Sequence, residues 1–521
     1  MTSIPATSQV SQARRLTTLF SLLAAFSSSF WLFSYVTADP DLWGHLKFGL
    51  DSWAAGRLAD TDPYSFTALG NTWINHEWLA EISFALAYLA LGSPGLILGK
   101  LLLGFVLVAL MWMACRTRAG EPLAFALVMM PAAATVAPGF MVRPQLFSFV
   151  FFALFVLLLH EKLTQGKDRL FLLPLLTVLW INLHGGVLMG LALVFVAACW
   201  QTFSRIVFRG KDTGLGSLWL WFSASCLATL ANPYGVRLLV FLYETVTLSR
   251  DITEWEPVPL WENSFLDLKL LIALFLILLV LRRKSVRGWE VMGIAMTLVA
   301  ALKHQRHMPF FAIAAAPFLV AGLSALGARI REKSPKFALT AVSWHALTVA
   351  LAILFGYQVA MGAAVYRSSR MQVIVDPRVY PVRAVRFMNE NKIHGNLVVP
   401  FDWGEYALWH LYPRSLVSMD GRFDTSYPAG VIEDHFQAQA GPGAWMDLLA
   451  KYPGATVSMA PRLPGWKELI LSRAPVSGWV LVYEDHNSLI LLRDCEGNAG
   501  ALARHGSRGF QPPGKVSWFF P

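Results

Sequence analysis

The chain has 521 residues, of which 55% are hydrophobic and only 15% charged, and its formal net charge is +10 at pH 7. Soluble enzymes carry about 25% charged residues, so a mean hydropathy of +0.50 marks an integral membrane protein. The basic excess falls in short clusters between apolar runs, the pattern of inside-facing membrane loops, and nucleic acid is excluded as a partner.

Eleven apolar runs are long enough to cross a bilayer as helices: 16–37, 95–115, 120–137, 145–160, 170–182, 186–204, 216–231, 264–281, 288–302, 308–327 and 338–360. The stretch 78–91 ("WLAEISFALAYLAL") is short and carries Glu81, which predicts an amphipathic helix at the interface rather than a span. With Arg14 and Arg15 inside, the loops "RTR", "EKLTQGKDR", "RIVFRGK", "RRKSVR" and "RIREKSPK" all fall on the cytoplasmic side. About eighteen Lys and Arg residues then lie inside against roughly nine outside, as the positive-inside rule requires. The alternative of a cleaved signal peptide at "VTA" is disfavoured, because its apolar region exceeds the usual 7–15 residues.

This topology places residues 366–521 outside the membrane. The runs "GNLVVPF", "SLVSM", "ATVSMAP", "WVLVYE" and "SLILL" read as short strands, with helices at "PVRAVRFMNENK" and "GAWMDLLAKY" between them. The predicted architecture is therefore mostly α: a polytopic membrane bundle over 1–365 with an outer loop at 38–94, and a C-terminal extracytoplasmic α/β domain over 366–521. Of the four cysteines, Cys115, Cys199 and Cys226 lie in apolar runs and Cys495 stands alone, which predicts neither a disulfide framework nor a thiolate-bound zinc.

The same topology collects the unusual polar clusters on the outer side: "DPDLWGH", "DTDPYSF", "NHEWLAE", "VRPQ", "NLHGG", "NPYG", "ITEWEP" and "KHQRH". Ionisable groups at membrane depth are costly and usually face a water-filled cavity where they function, so a single outward-opening site is expected. Asp41 and His45 are four residues apart and share a face if the segment is helical. Asp39, before a proline, fits a turn as well as the chemistry. Glu77 beside His76 offers a further acid–base pair, and Asp41 with Asp62 is the candidate ligand set for a divalent cation such as Mg or Mn. Arg143, Arg306 and Arg237 sit at outer span ends, where a guanidinium either forks onto a lipid phosphate or snorkels toward headgroups. His184 and His307 join Arg143 and Arg306 as candidate phosphate-site groups. Trp43, Trp73 and Trp78 fit an interfacial aromatic belt.

Taken together, these features resemble the GT-C class of membrane glycosyltransferases, in a bacterial branch. "DPDLWGHLK" is similar to the acidic first-loop motif of the oligosaccharyltransferase catalytic subunit, with Asp41 matching the loop aspartate and His45 the histidine of archaeal members. "PFDWGEYALW" resembles that family's "WWDYG" element through Phe401, Asp402, Trp403 and Gly404, with Pro400 in place of the first tryptophan. "SMDGRFD", with Asp420, Gly421 and Arg422, falls where relatives carry another acidic turn.

The resemblance implies a polyprenyl-phosphate sugar donor and a glycan, lipid or protein acceptor reached from the outer face of the bacterial cytoplasmic membrane. It implies single displacement at the anomeric carbon. Asp41 with His45, Asp39 and Glu77 would form the catalytic group, Arg143, Arg306, His307 and His184 the donor-phosphate site, and Asp402, Trp403, Asp420 and Arg422 the acceptor side. No GxGxxG or P-loop precedes a helix, and no nucleotide site is needed. The competing expectations are a flippase for a lipid-linked saccharide and a non-catalytic envelope assembly protein.

Overall fold

The computed structural model describes residues 6–208, 214–247, 253–333, 340–474, 477–506 and 517–520. The ends of the basic loops "RIVFRGK" and "RIREKSPK", Ile252 of "ITEWEP" and the first two residues of the run 338–360 lie outside the described residues. Two compact units emerge: Met1–Val36 with Ile97–Met371, and Thr37–Leu96 with Gln372–Pro521. The sequence division keeps 38–94 with the spans, whereas its contacts group it with the C-terminal residues, for reasons given below.

In the first unit, each of the eleven apolar runs is helical. Among the described residues, six helices are long and apolar enough to cross a membrane: Ser93–Arg116, Pro122–Gly139, Gln145–Gln165, Val187–Phe208, Gln305–Lys333 and Ala341–Ser368. The other runs form helices Ala6–Leu32, Leu172–Leu183, Leu215–Ala228, Leu266–Leu281 and Gly288–Lys303. The 16-residue helix Leu266–Leu281 rises roughly 24 Å at 1.5 Å per residue, short of the roughly 30 Å hydrocarbon core. Val236–Thr247, outside every predicted run, is also helical.

Helices Ala6–Leu32 and Ala341–Ser368 pack along their lengths, and their polar residues meet each other rather than lipid. Thr17 and Thr348 hydroxyls are 2.9 Å apart, and Ser27 donates to Gln358 Oε1 at 2.5 Å. Ser21, Ser28 and Ser29 donate back to the carbonyls of Thr17, Ala25 and Phe26, which lets a polar run persist in an apolar setting. Met308–Lys333 is buried almost continuously from Met308 to Gly322. Its alanine-rich face allows close approach by helices Pro122–Val136, Leu266–Leu281 and Gly288–Lys303.

The second unit holds a five-stranded sheet of β1 (Gly395–Val398), β2 (Ser415–Val417), β3 (Val457–Pro461), β4 (Trp479–Glu484) and β5 (Ser488–Arg493) in the order β2-β1-β3-β5-β4. β1 lies parallel to both β2 and β3, while β5 is antiparallel to β3 and β4. One face is covered by helices Pro442–Lys451 and Trp466–Arg473 through Trp445, Leu449, Trp466 and Ile470, packed on Val398, Ala460, Leu489 and Leu491.

β1 runs through Val399 and Pro400 directly into helix Phe401–Leu411, which returns the chain to the parallel strand β2. The sequence shows this apolar run as strand through Phe401; the proline, lacking an N–H for the ladder, ends the strand and opens the helix. Both motif segments, "FDWGE" and "MDGR", therefore leave the C-terminal ends of adjacent parallel strands, where open α/β sheets place ligands.

The loop 38–94 belongs with this sheet. It carries helices Leu42–Ala55 and Trp78–Leu91, packed on each other, and the first also packs on Phe401–Leu411. Between the two, Ser65 forms a parallel bridge with Val417 at the edge of β2, where Phe66 N–H donates to the Val417 carbonyl at 3.1 Å and Val417 N–H to Tyr64 at 3.2 Å. Trp43 is fully buried against Tyr380 and Tyr406, with ring centroids 4.6 and 4.9 Å away. Trp73 is buried beside Phe48 and Tyr64. These two tryptophans form the core of the unit, not an interfacial belt, because both pack against rings supplied by distant segments.

Candidate active site

Asp41 and the residues after it are organised by backbone. Asp39 Oδ1 accepts the Asp41 N–H at 3.1 Å, an Asx turn that starts the helix, and Asp41 takes the N-cap position of Leu42–Ala55 without a side-chain cap. His45 N–H donates to the Asp41 carbonyl at 3.1 Å, so the two share a helix face as their spacing predicts.

His45 is buried with Nδ1 3.4 Å from Glu81 Oε1 and 3.9 Å from Glu77 Oε2. Burial pulls its pKa down, but the Glu81 hydrogen bond and the charges of Glu77, Glu81 and Asp41 outweigh burial and hold it above the ordinary value. Glu81 is fixed from the other side by Asn75 Nδ2 at 2.6 Å, and burial raises its own pKa against the opposing pull of His45. His76 Nε2 reaches Glu77 at 3.6 Å. The cluster brings together two imidazoles and two carboxylates of one loop.

Across the same helix start stands Glu405, from "WGEY" in helix Phe401–Leu411. Its Oε2 accepts the Gly44 N–H at 2.8 Å. A β-carbon at Gly44 would lie 2.2 Å from the Glu405 carboxyl carbon, so only glycine admits this acid. On its other side Gly421 takes the same part, since a β-carbon there would lie 2.5 Å from Glu405 Oε1 and 2.8 Å from Asp41 Oδ1. Burial, then the charges of Asp41 and Asp420, push the Glu405 pKa well above the usual carboxylate range. Asp41 and Glu405 thus form a facing pair of acids, and their mutual repulsion favours the neutral form of the buried Glu405.

Beneath this pair lies a buried ion-pair knot. Arg422 holds Asp420 in a two-point fork, Nε to Oδ1 at 2.9 Å and Nη2 to Oδ2 at 2.7 Å, and gives Nη1 to Asp62 at 2.5 Å. Asp62 also accepts the Tyr64 N–H at 2.8 Å and the Ser65 hydroxyl, and Tyr427 donates to Asp420 at 2.8 Å. The guanidinium stands 5.0–5.5 Å from the rings of Trp73, Tyr64, Phe48 and Tyr427. Burial opposes its charge, but Asp420, Tyr427 and Asp62 overcome this and raise its pKa further. Of the remaining acceptor candidates, Asp402 is exposed in the first turn of its helix, while Trp403 is buried and donates from Nε1 to the Val379 carbonyl at 2.9 Å.

The divalent-cation expectation rests on Asp41 and Asp62. Asp62 is already engaged by a guanidinium, a hydroxyl and a backbone N–H, which leaves it unsuited as a metal ligand. Among the described residues no group of three or more His, Cys, Asp or Glu side chains is arranged to hold a metal ion.

The phosphate-site candidates lie in the first unit. Arg143 Nη1 is 2.6 Å from Glu254 Oε1, which joins "VRPQ" to "TEWEP". The adjoining Trp255 accepts from His304 Nδ1 at its carbonyl, 2.6 Å away, and the Arg306 guanidinium stacks 4.7 Å from its ring centroid. His307 lies 6.5 Å from the same ring, and its Nδ1 is buried without a hydrogen-bond partner. These groups form one cluster. His184 Nδ1 accepts the Gly186 N–H at 2.9 Å and contacts Ser148 Oγ at 2.8 Å, while Ser148 is held by Trp180 Nε1 at 2.7 Å.

Glu405, Glu81 and Glu254 are not among the candidate site residues that the sequence singles out. Glu405 follows the "WWDYG"-like element directly, and an acid within an otherwise apolar helix is the signal that identifies it.

No family model and no curated protein matches the chain. Among solved structures, the fold is similar to the crystal structure of the Archaeoglobus fulgidus oligosaccharyltransferase tethered to an acceptor peptide containing the NVT sequon. The TM-score is 0.53, covering 86% of this chain and 69% of that chain at 10% identity. The cryo-EM structure of the arabinofuranosyltransferase AftD from mycobacteria aligns with a TM-score of 0.49, covering 93% of this chain and 40% of that chain at 15% identity. The fold accordingly resembles that of the GT-C membrane enzymes.

Proposed function

We propose that the protein is a glycosyltransferase that moves a hexosyl or pentosyl unit from a polyprenyl-phosphate donor to a glycan, lipid or protein acceptor. In this reading the membrane is the bacterial cytoplasmic membrane, crossed eleven times from a cytoplasmic N-terminus, and residues 366–521 are extracytoplasmic. The observation that carries it is the meeting of Asp41 and Glu405 at Gly421, with His45 and Glu77 alongside, in a chain of GT-C-like fold.

Asp41 accepts the proton of the acceptor hydroxyl or amide as the acceptor atom bonds to the anomeric carbon. The bond from that carbon to the phosphate oxygen breaks, and its electron pair leaves with the lipid phosphate. Glu405, held neutral, keeps a second negative charge away from the base. His45 and Glu77 carry the proton onward, and Asp39 sets the turn that aims Asp41. Arg143, Arg306 and His307 receive the charge developing on the phosphate, with His184 as a further donor. Asp402 meets the acceptor, while Trp403, buried and bonded to Val379, joins Asp420 and Arg422 in holding the surrounding backbone in place.

Mass spectrometry of lipid co-purified with the detergent-solubilised protein tests this reading. A polyprenyl-phosphate sugar is expected, retained without turnover by Asp41→Asn. Turnover by that variant at the normal rate overturns the catalytic assignment, and a Asp41→Asn protein that moves lipid between leaflets at the normal rate points to a flippase.

A further inference from the structure

At the end of helix Met308–Lys333 opposite Arg306, the chain gathers a second set of cations. A cavity of about 560 Å³ is lined by Leu278, Leu281, Arg282, Arg283, Lys284, Ser285, Gly322, Leu326, Arg329 and Glu332, among others. Its walls differ sharply in character. Leu278 and Gly322 form an apolar floor, while Leu281 and Leu326 expose 56% and 37% of their surface; four cationic side chains face a single carboxylate, Glu332.

The carboxylates around these cations do not satisfy every guanidinium donor. Arg282 Nη1, Arg287 Nη1 and Arg118 Nε are buried without hydrogen-bond partners. Glu290 is a buried carboxylate beside them, 3.2 Å from Arg118 and 3.9 Å from His160. Burial lowers the Arg282 pKa, and the charges of Arg118 and Arg329 lower it further against the opposing pull of Glu290. Buried guanidinium donors without acceptors cost free energy, and an anion that forks onto them removes that cost.

We propose that this cavity binds the phosphate of an anionic phospholipid, with the headgroup on Arg282, Arg329, Arg283 and Lys284 and an acyl chain along Leu281 and Leu326. A basic pocket between helix ends with an apolar wall suits a lipid better than a free ion, because inorganic phosphate leaves the leucines uncovered. The site is independent of the outer-face chemistry, so its failure and that of the proposed transferase activity are separable.

Native mass spectrometry of the full-length protein in detergent decides it, with phosphatidylglycerol, phosphatidylcholine and inorganic phosphate as probes. Phosphatidylglycerol is expected to bind at least about tenfold more tightly than phosphatidylcholine, because each basic residue adds attraction for an anionic headgroup. Inorganic phosphate at millimolar concentration should not displace it. The double variant R282Q/R329Q should lose this preference, and R283Q/K284Q, which alters only exposed positions, should weaken it even if the first variant does not fold. Arg331→Gln, whose guanidinium is paired with Glu121 at 2.9 Å, should leave it intact. Equal affinity for the two lipids, unchanged binding by R283Q/K284Q, or displacement by inorganic phosphate overturns the proposal.

Discussion

Asp41 and Glu405 face each other across Gly421, whose missing side chain is the space that both carboxyl groups occupy. Gly421→Ala places a methyl group 2.5 Å from Glu405 Oε1 and 2.8 Å from Asp41 Oδ1, so the carboxyl groups must shift to admit it. Overpacking of this kind costs about 1–3 kcal/mol, so thermal unfolding in detergent should report that loss, together with a fall in transfer rate. Gly430→Ala, with nothing within 4 Å of the new carbon, should leave both unchanged.

Glu405→Gln should change how stability depends on pH. The unfolded glutamate ionises near about 4.3, whereas burial holds the folded group neutral to higher pH. Its contribution is fully present below the unfolded value and is lost as pH rises toward the folded one, at up to about 1.4 kcal/mol per unit. The glutamine cannot titrate, so the variant should gain on the parent steadily above about pH 4.3. Both proteins retain His45, whose raised pKa acts in the same direction and cancels in the difference. Parallel stability curves would show that Glu405 ionises as freely in the fold as in the unfolded chain.

Arg422→Met leaves Asp420 and Asp62 buried without a cation and should destabilise the protein by about 3–5 kcal/mol. Arg422→Lys keeps the charge but loses the planar fork, and should fall between. If Arg422 only holds its loop, the lysine variant's KM for acceptor stays constant while its melting temperature drops.

For the lipid phosphate, the ion pair between Arg143 and Glu254 makes two opposite forecasts. Arg143→Ala should raise the donor KM about tenfold or more, the worth of a charge-assisted hydrogen bond. Glu254→Gln removes the competitor for the same guanidinium and should lower the KM or leave it as it is. A matching rise in both variants would indicate that the pair serves structure.

The helices were legible because run length alone identifies an apolar span, and all eleven runs are helical. The strands were visible for a similar reason, since β3, β4 and β5 are short apolar runs bounded by turn residues. Helix Phe401–Leu411 was not, because the apolar run of β1 passes into it without a polar break. Asp41 and His45 announce themselves through helical spacing, which is local. Glu405 and the Asp62–Arg422–Asp420 knot depend on segments far apart in sequence, and no spacing rule reports such a meeting. Trp43 and Trp73 show the same limit: at the mouth of a span, a belt tryptophan and a core tryptophan look alike until their neighbours are known.

The bridge between Ser65 and Val417 bears on how the protein can be divided in the laboratory. A recombinant fragment starting at 366 would present β2 as a bare edge and uncover Met419 and Tyr427, which pack with Ala68 in the intact chain. Such a fragment invites strand-to-strand aggregation. A soluble piece suited to crystallography or ligand screening would instead need residues 38–94 grafted onto the C-terminal segment, making the first loop and the last domain a single, discontinuous module.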